Sequence, residues 1–138
     1  MGCDIHMVLE RKHGDHWIGV DSFKGHYCAL DKRYAWPLAT SRNYSRFAAL
    51  AGVRGDGPDP RGIPDDASEL SKLQIADWGQ DGHSHSWMSV AEAAPIFYET
   101  DSYKKDEFAR YYPAAYYFDV DMDSKKLEDY RIVFWFDN

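Results

Sequence analysis

Apolar and polar residues alternate most regularly at the two ends of the chain. Side chains two apart share one face of a strand. In residues 3–11, Cys3, Ile5, Met7 and Leu9 form an apolar face, while Asp4, His6, Val8 and Glu10 form a mixed one. In residues 130–138, Ile132, Phe134 and Phe136 face one way, and Arg131, Val133, Trp135 and Asp137 the other. Each pattern predicts a strand with one core face. If the two strands are neighbours, Asp4, His6, Trp135 and Asp137 come within reach of one another. Such a face is either solvated or the floor of a cleft. Both end strands are expected to be tied into the fold.

Between the ends the pattern changes repeatedly. Lys12-His13-Gly14-Asp15 predicts a hairpin into a second strand at 16–21. Residues 22–40 read as an irregular, aromatic-rich connection. Ser41 caps a predicted helix through Ala51, closed by Gly52 or Gly55. Residues 53–66 are too rich in glycine and proline for a regular element. Asp66-Ala67-Ser68-Glu69 has the form of a capping box and opens a short helix to about Asp77. Residues 78–87 read as a loop. Ser89-Val90-Ala91-Glu92 opens a helix that Pro95 is expected to end or kink. A helix over 104–112, a strand over 115–122, a turn over 123–128 and the closing strand as its hairpin partner complete the prediction. The expected fold is α+β: a single domain (1–138), with a mostly antiparallel sheet, adjacent N- and C-terminal strands and a helical and loop middle section.

The chain has 138 residues, enough for one good core. Its net charge of −7 and lack of a long Lys/Arg run argue against non-specific DNA binding. Aromatics make up 16% of the residues, led by tyrosine, which suits a binding surface as well as a core. No stretch reaches transmembrane length, and with an acidic, strand-like start no signal peptide is expected. His6 stands where the myristoylation pattern wants Ser or Thr. Cys3 and Cys28 make no disulfide framework, and Cys3 is expected as a buried free thiol. A cytoplasmic location follows as the expectation.

Three constellations carry candidate chemistry. His83-Ser84-His85 presents two imidazoles, and with Asp4, His6 and Asp137 the set Asp4, His6, His83, Asp137 could hold a divalent metal ion. The alternative is a solvated loop. Arg42, Arg46, Arg54 and Arg61 lie close together in an acidic chain, and arginine grips carboxylate or phosphate bidentately. Arg54 and Arg61 sit among glycines whose amides can approach an anion. The competing reading pairs them with Asp56, Asp59, Asp65 and Asp66. Ser84 or Ser86 beside His83 suggests nucleophilic catalysis, although no Gly-x-Ser-x-Gly occurs. There is no Walker A loop and no dinucleotide fingerprint.

Several stretches together resemble a family of small uncharacterised proteins of bacteriophages and bacterial genomes. They are the opening Met1-Gly2-Cys3-Asp4-Ile5-His6, the Arg42-Asn43-Tyr44 helix start running into Phe47 to Arg54, Arg61-Gly62-Ile63-Pro64-Asp65-Asp66, Asp81-Gly82-His83-Ser84 with Ser86-Trp87, and Phe134-Trp135-Phe136-Asp137-Asn138. The resemblance spans nearly the whole chain. It implies no activity. Its pattern does not fix a histidine at 85, which favours His83 as the working histidine. A phage setting implies the host cell cytoplasm and a role against host defence, through a nucleotide signal or a host protein partner.

The leading expectation is a pocket for a small anionic, nucleotide-like ligand, lined by Arg42, Asn43, Tyr44, Arg54, Arg61, Asp81, Ser84, Ser86 and Trp87. Asp4, His6 and His83 are the candidate catalytic groups. The alternatives are a metal-dependent hydrolase or nuclease and an acidic protein–protein inhibitor.

Overall fold

In the computed structural model, residues 2–22, 27–28, 33–34, 42–101, 107–118, 120 and 124–138 are described. The predicted hairpin is present: β1 (Asp4–His13) turns at Gly14, whose φ is +66°, into β2 (His16–Ser22). The remaining strands of the main sheet are β3 (Gly82–Ser89) and β4 (Tyr130–Asp137). The sheet order is β2-β1-β4-β3, antiparallel throughout. The first and last strands are therefore neighbours at the centre of the sheet. Asp4 pairs with Asp137, His6 with Trp135 and Glu10 with Arg131. A two-residue ladder joins Tyr27–Cys28 to Arg33–Tyr34 within the stretch expected to be irregular.

One face of the sheet carries the main core. Ile5, Met7, Leu9, Ile132, Phe134 and Phe136 meet Phe47 and Leu50 of α1 (Tyr44–Ala51) and Phe97 of α3 (Val90–Glu99). The short helices α4 (Glu107–Tyr111) and α5 (Pro113–Tyr117) close it with Ala109, Ala114 and Tyr117. The second face is covered by α2 (Glu69–Trp78), which leaves Val8, Val133 and Trp135 fully buried. Close seating of α2 needs Gly19 on β2, because a Cβ there would strike Leu70.

Local sequence explains most element ends. Asn43 caps α1 by accepting from the Arg46 amide, and Gly52 closes it in the left-handed region. The predicted cap, Ser41, lies outside the described residues. Ser68 caps α2 where the expected capping box would have used Asp66, whose carboxylate is taken by Arg131, and the Ser89/Glu92 capping box opens α3 as predicted.

Three expectations are corrected. Residues 82–89 form an edge strand instead of a loop, because β4 offers them a ladder. The helix α3 runs through Pro95, since burial of Val90, Ala93, Ala94 and Phe97 outweighs one lost backbone bond. Residues 113–117 are helical where a strand over 115–122 was expected, and β4 takes β1 and β3 as partners instead. Of the helix predicted over 104–112, only Glu107–Tyr111 lies within the described residues as helix.

Candidate functional site

Polar groups gather at the end of the sheet where β1 begins and β4 ends. Two distinct arrangements form there, one on each face.

On the face covered by α2, the His6 Nε2 lies 2.8 Å from Asp137 Oδ1. The imidazole stacks on Trp78, the last residue of α2, with ring centroids 4.0 Å apart. Asp4, opposite Asp137, takes Arg42 in a two-pronged ion pair, with Nε at 2.7 Å from Oδ1. The Arg42 guanidinium beside Asp4 holds that carboxyl below the usual range. His85 stacks over Trp135, and burial lowers its pKa. Among the described residues, His85 Nε2 and Trp135 Nε1 are the buried side-chain atoms without a hydrogen-bond partner.

On the other face is an open, polar cleft of about 480 Å³. Its walls are the 51–60 stretch, which leaves α1 at Gly52, together with His83, Ser84 and Asn138. The 55–57 segment lies tight against α1: a Cβ on Gly57 would collide with the Ala48 carbonyl. Arg54 enters the cleft from a backbone with φ +63°, in the left-handed region that disfavours side chains. Its guanidinium lies 5.2 Å from the centre of the Tyr44 ring. The Tyr44 hydroxyl in turn accepts from the Cys3 amide at 3.2 Å. Cys3 itself is a buried free thiol, as expected, and burial raises its pKa.

Across the cleft stands a hydrogen-bonded chain. Ser84 Oγ lies 2.9 Å from His83 Nδ1, and His83 Nε2 lies 3.1 Å from Asn138 Oδ1. In the tautomer protonated on Nε2, the His83 ring donates to the Asn138 oxygen. In that tautomer Nδ1 is the acceptor for the Ser84 hydroxyl.

The structure therefore divides the residues expected to work together. Arg54, His83 and Ser84 share the cleft. Arg42 is engaged by Asp4, and Arg61 by Glu92 at 2.7 Å, with its guanidinium 4.9 Å over the Trp87 ring. Pairing of arginine with carboxylate thus prevails for these two, but with different acids from those expected. Arg46 is buried, donating to Thr100 Oγ1 and the Phe97 carbonyl. Asn43 is a helix cap that also holds the Thr100 carbonyl. Ser86 is buried and accepts from the Arg61 amide. Asp81 is exposed in the 3-10 turn before β3 and does not line the cleft.

The proposed metal set does not assemble. His83 pairs with Phe136, one residue out of phase with Asp137, so it points to the opposite face from His6 and Asp137. Among the described residues, no three His, Cys, Asp or Glu side chains converge as metal ligands.

Sequence inspection missed Glu10 and Arg131. Glu10 is fully buried and Arg131 nearly so. Glu10 Oε1 accepts from Arg131 Nε at 2.6 Å, and Oε2 accepts from the Ser68 amide and the Ser71 hydroxyl, each at 2.7 Å. Arg131 also donates to Asp66 and packs 4.1 Å over the Trp17 ring. The signal was available: the register that places Asp4 opposite Asp137 places Glu10 opposite Arg131.

No family model matches the chain, and neither a curated protein nor a solved structure matches it. Among the described residues, no helix is long and apolar enough to cross a membrane.

Proposed function

We propose that the cleft between the 52–60 loop and the start of β3 binds a small anionic, nucleotide-like ligand. The observation that carries this reading is the placement of Arg54 with His83, Ser84 and Asn138 in one polar cleft of about 480 Å³, whose lining also includes Asp56 and Asp59. A phosphate would sit against the Arg54 guanidinium, where charge-assisted hydrogen bonds are strongest. Ser84 would orient the ligand's neighbouring polar groups. The cleft volume falls within the ordinary range for small-molecule sites. Arg42 and Arg61 support the site from outside, by fixing β1 and the 61–62 segment, and do not contact the ligand.

Titration of the protein with inorganic phosphate and with adenosine monophosphate, followed by calorimetry, tests this reading. Arg54→Gly is the informative variant, because glycine accepts the backbone at +63° without strain. Loss of one charged contact costs about 1.5–3 kcal/mol, so binding should weaken about 10- to 100-fold. Unchanged affinity in Arg54→Gly would reject the site.

A second reading, recognition of a host protein, is favoured by one surface. Phe108, Tyr111, Tyr112 and Tyr116 stand exposed together on α4, α5 and the residue between them. Exposed aromatics are enriched where proteins dock. It predicts a stable macromolecular complex that survives Arg54→Gly and is lost on Tyr112→Ser.

A further inference from the structure

In a regular strand, neighbouring side chains point to opposite faces, so His83 and Ser84 should be unable to meet. They meet here because the β3–β4 register slips between His83 and Ser86, and Ser84 takes a φ of +54°. A serine in the left-handed region is uncommon and is kept only when its surroundings hold it there. Bulges of this kind re-aim side chains and recur beside active sites. The result is a hydroxyl within hydrogen-bond distance of an imidazole nitrogen, at 2.9 Å, and that imidazole held through its other nitrogen at 3.1 Å. All three residues line one cleft with Arg54.

Nucleophile, base and orienting group in hydrogen-bonded sequence define an activated serine. From this geometry we infer that Ser84 is a nucleophile with His83 as its base, and that the cleft cleaves a phosphodiester of the anionic ligand class proposed above. The inference rests on that binding reading for its substrate. In the first step Ser84 Oγ bonds to phosphorus, and its proton passes to His83 Nδ1. The bond from phosphorus to the leaving alkoxide breaks, and the alkoxide takes the proton from His83. Water then attacks the phosphoseryl group and gives a proton to His83. The Ser84 oxygen departs and recovers that proton, so one water is consumed per bond cleaved. Arg54 faces the charge on the non-bridging oxygens. Asn138 is a positioning residue, since it touches only the imidazole.

The test is covalent labelling of the full chain with a fluorophosphonate probe, read by peptide mass spectrometry. One adduct per chain on Ser84 is expected, and none in Ser84→Gly, a variant that suits the +54° backbone. His83→Gln should slow labelling at least about 100-fold, the usual share of a general base. Asn138→Ala should slow it and Asn138→Asp should restore it, since a carboxylate also accepts from Nε2. Labelling elsewhere, or at a rate indifferent to His83→Gln, would overturn the assignment. Turnover of bis(4-nitrophenyl) phosphate, lost in Ser84→Gly, carries the substrate class, and labelling without turnover overturns it. Phosphate titration on the same sample separates the two readings. Binding that depends on Arg54 without any Ser84 adduct removes the nucleophile and leaves the binding site standing, whereas loss of both removes both.

Discussion

The Glu10–Arg131 pair and the Arg54 cleft use similar chemistry to opposite ends. Both place an arginine among polar groups, Arg131 on β4 and Arg54 in the turn after α1. Arg131 is sealed beneath α2, with Glu10, Asp66 and the Trp17 ring around it. Its backbone is an ordinary central strand. Arg54 sits on a left-handed residue in an open cleft, beside a second left-handed residue, Ser84, across the gap. Satisfied bonds and regular backbone mark a region built for stability. Strained backbone beside an open cleft marks a region held in shape by something else. The difference shows why residue type alone is a poor guide to a site: what separates the two arginines is enclosure and backbone geometry.

The comparison breaks most readily at Glu10. Replacing Glu10 by Ala leaves Arg131 buried with only the half-exposed Asp66 opposite it, and removing one partner of a buried pair costs about 3–5 kcal/mol. Urea unfolding should show that loss, while phosphate affinity of the folded fraction is unchanged. A loss below about 1 kcal/mol, the worth of a surface pair, would mean the buried pair is not a stability element. At the cleft the pattern should invert: Arg54→Gly changes stability by no more than about 0.5 kcal/mol, as for a surface position, while binding falls. His6→Ala lies between the two. It removes a hydrogen bond to Asp137 and the stack on Trp78, and should cost about 1–2 kcal/mol.

The smallest effect concerns pH. Burial lowers the His85 pKa from its ordinary 6.5, so the fold favours the neutral ring. A depressed folded value means the stabilisation is complete above 6.5 and is lost as pH falls towards the folded value. His85→Phe keeps the ring over Trp135 and should flatten the melting temperature across pH 5–7, a window about 6.5 where only histidine ordinarily titrates. The lowered carboxyl pKa values of Asp4, Asp66 and Glu92 act in a separate window, below about pH 4. Their stabilisation is present above the unfolded value and disappears as pH falls through the folded one. Each is more than a third exposed, so solvent screening keeps that contribution small.

The α+β class and the adjacency of the end strands were legible because alternation at 3–11 and 130–138 is nearly strict. The Ser89 capping box was legible from its own four residues, whereas the box read over Asp66 to Glu69 put the start of α2 two residues early. Strand β3 was not, because Gly82 to Ser86 contain no β-branched or aromatic residue, and pairing with β4 imposes the conformation. Helix α5 was misread because Tyr116, Tyr117 and Phe118 suit strands, whereas contact of Tyr117 and Phe118 with Phe97 decides their place. At the site, His83 was legible as a candidate but its face was not. A strand's phase depends on a register that only the partner fixes. The meeting of Ser84 with His83 needed a left-handed residue that no composition announces.

His6 and Asp137 stand 131 positions apart in the chain, yet they share a hydrogen bond. The central β1–β4 ladder therefore closes a loop of nearly the whole domain, and all of that closure entropy falls due before the sheet can form. Folding should be correspondingly slow, in the millisecond-to-second range (about 10⁻³–1 s) typical of topologies dominated by distant contacts. The cleft, whose walls come from residues 51–60, 83–84 and 138, has no local folding unit of its own. Its appearance should coincide in time with the docking of β4, so that refolding followed by tryptophan fluorescence and refolding followed by recovery of phosphate binding trace a single rate.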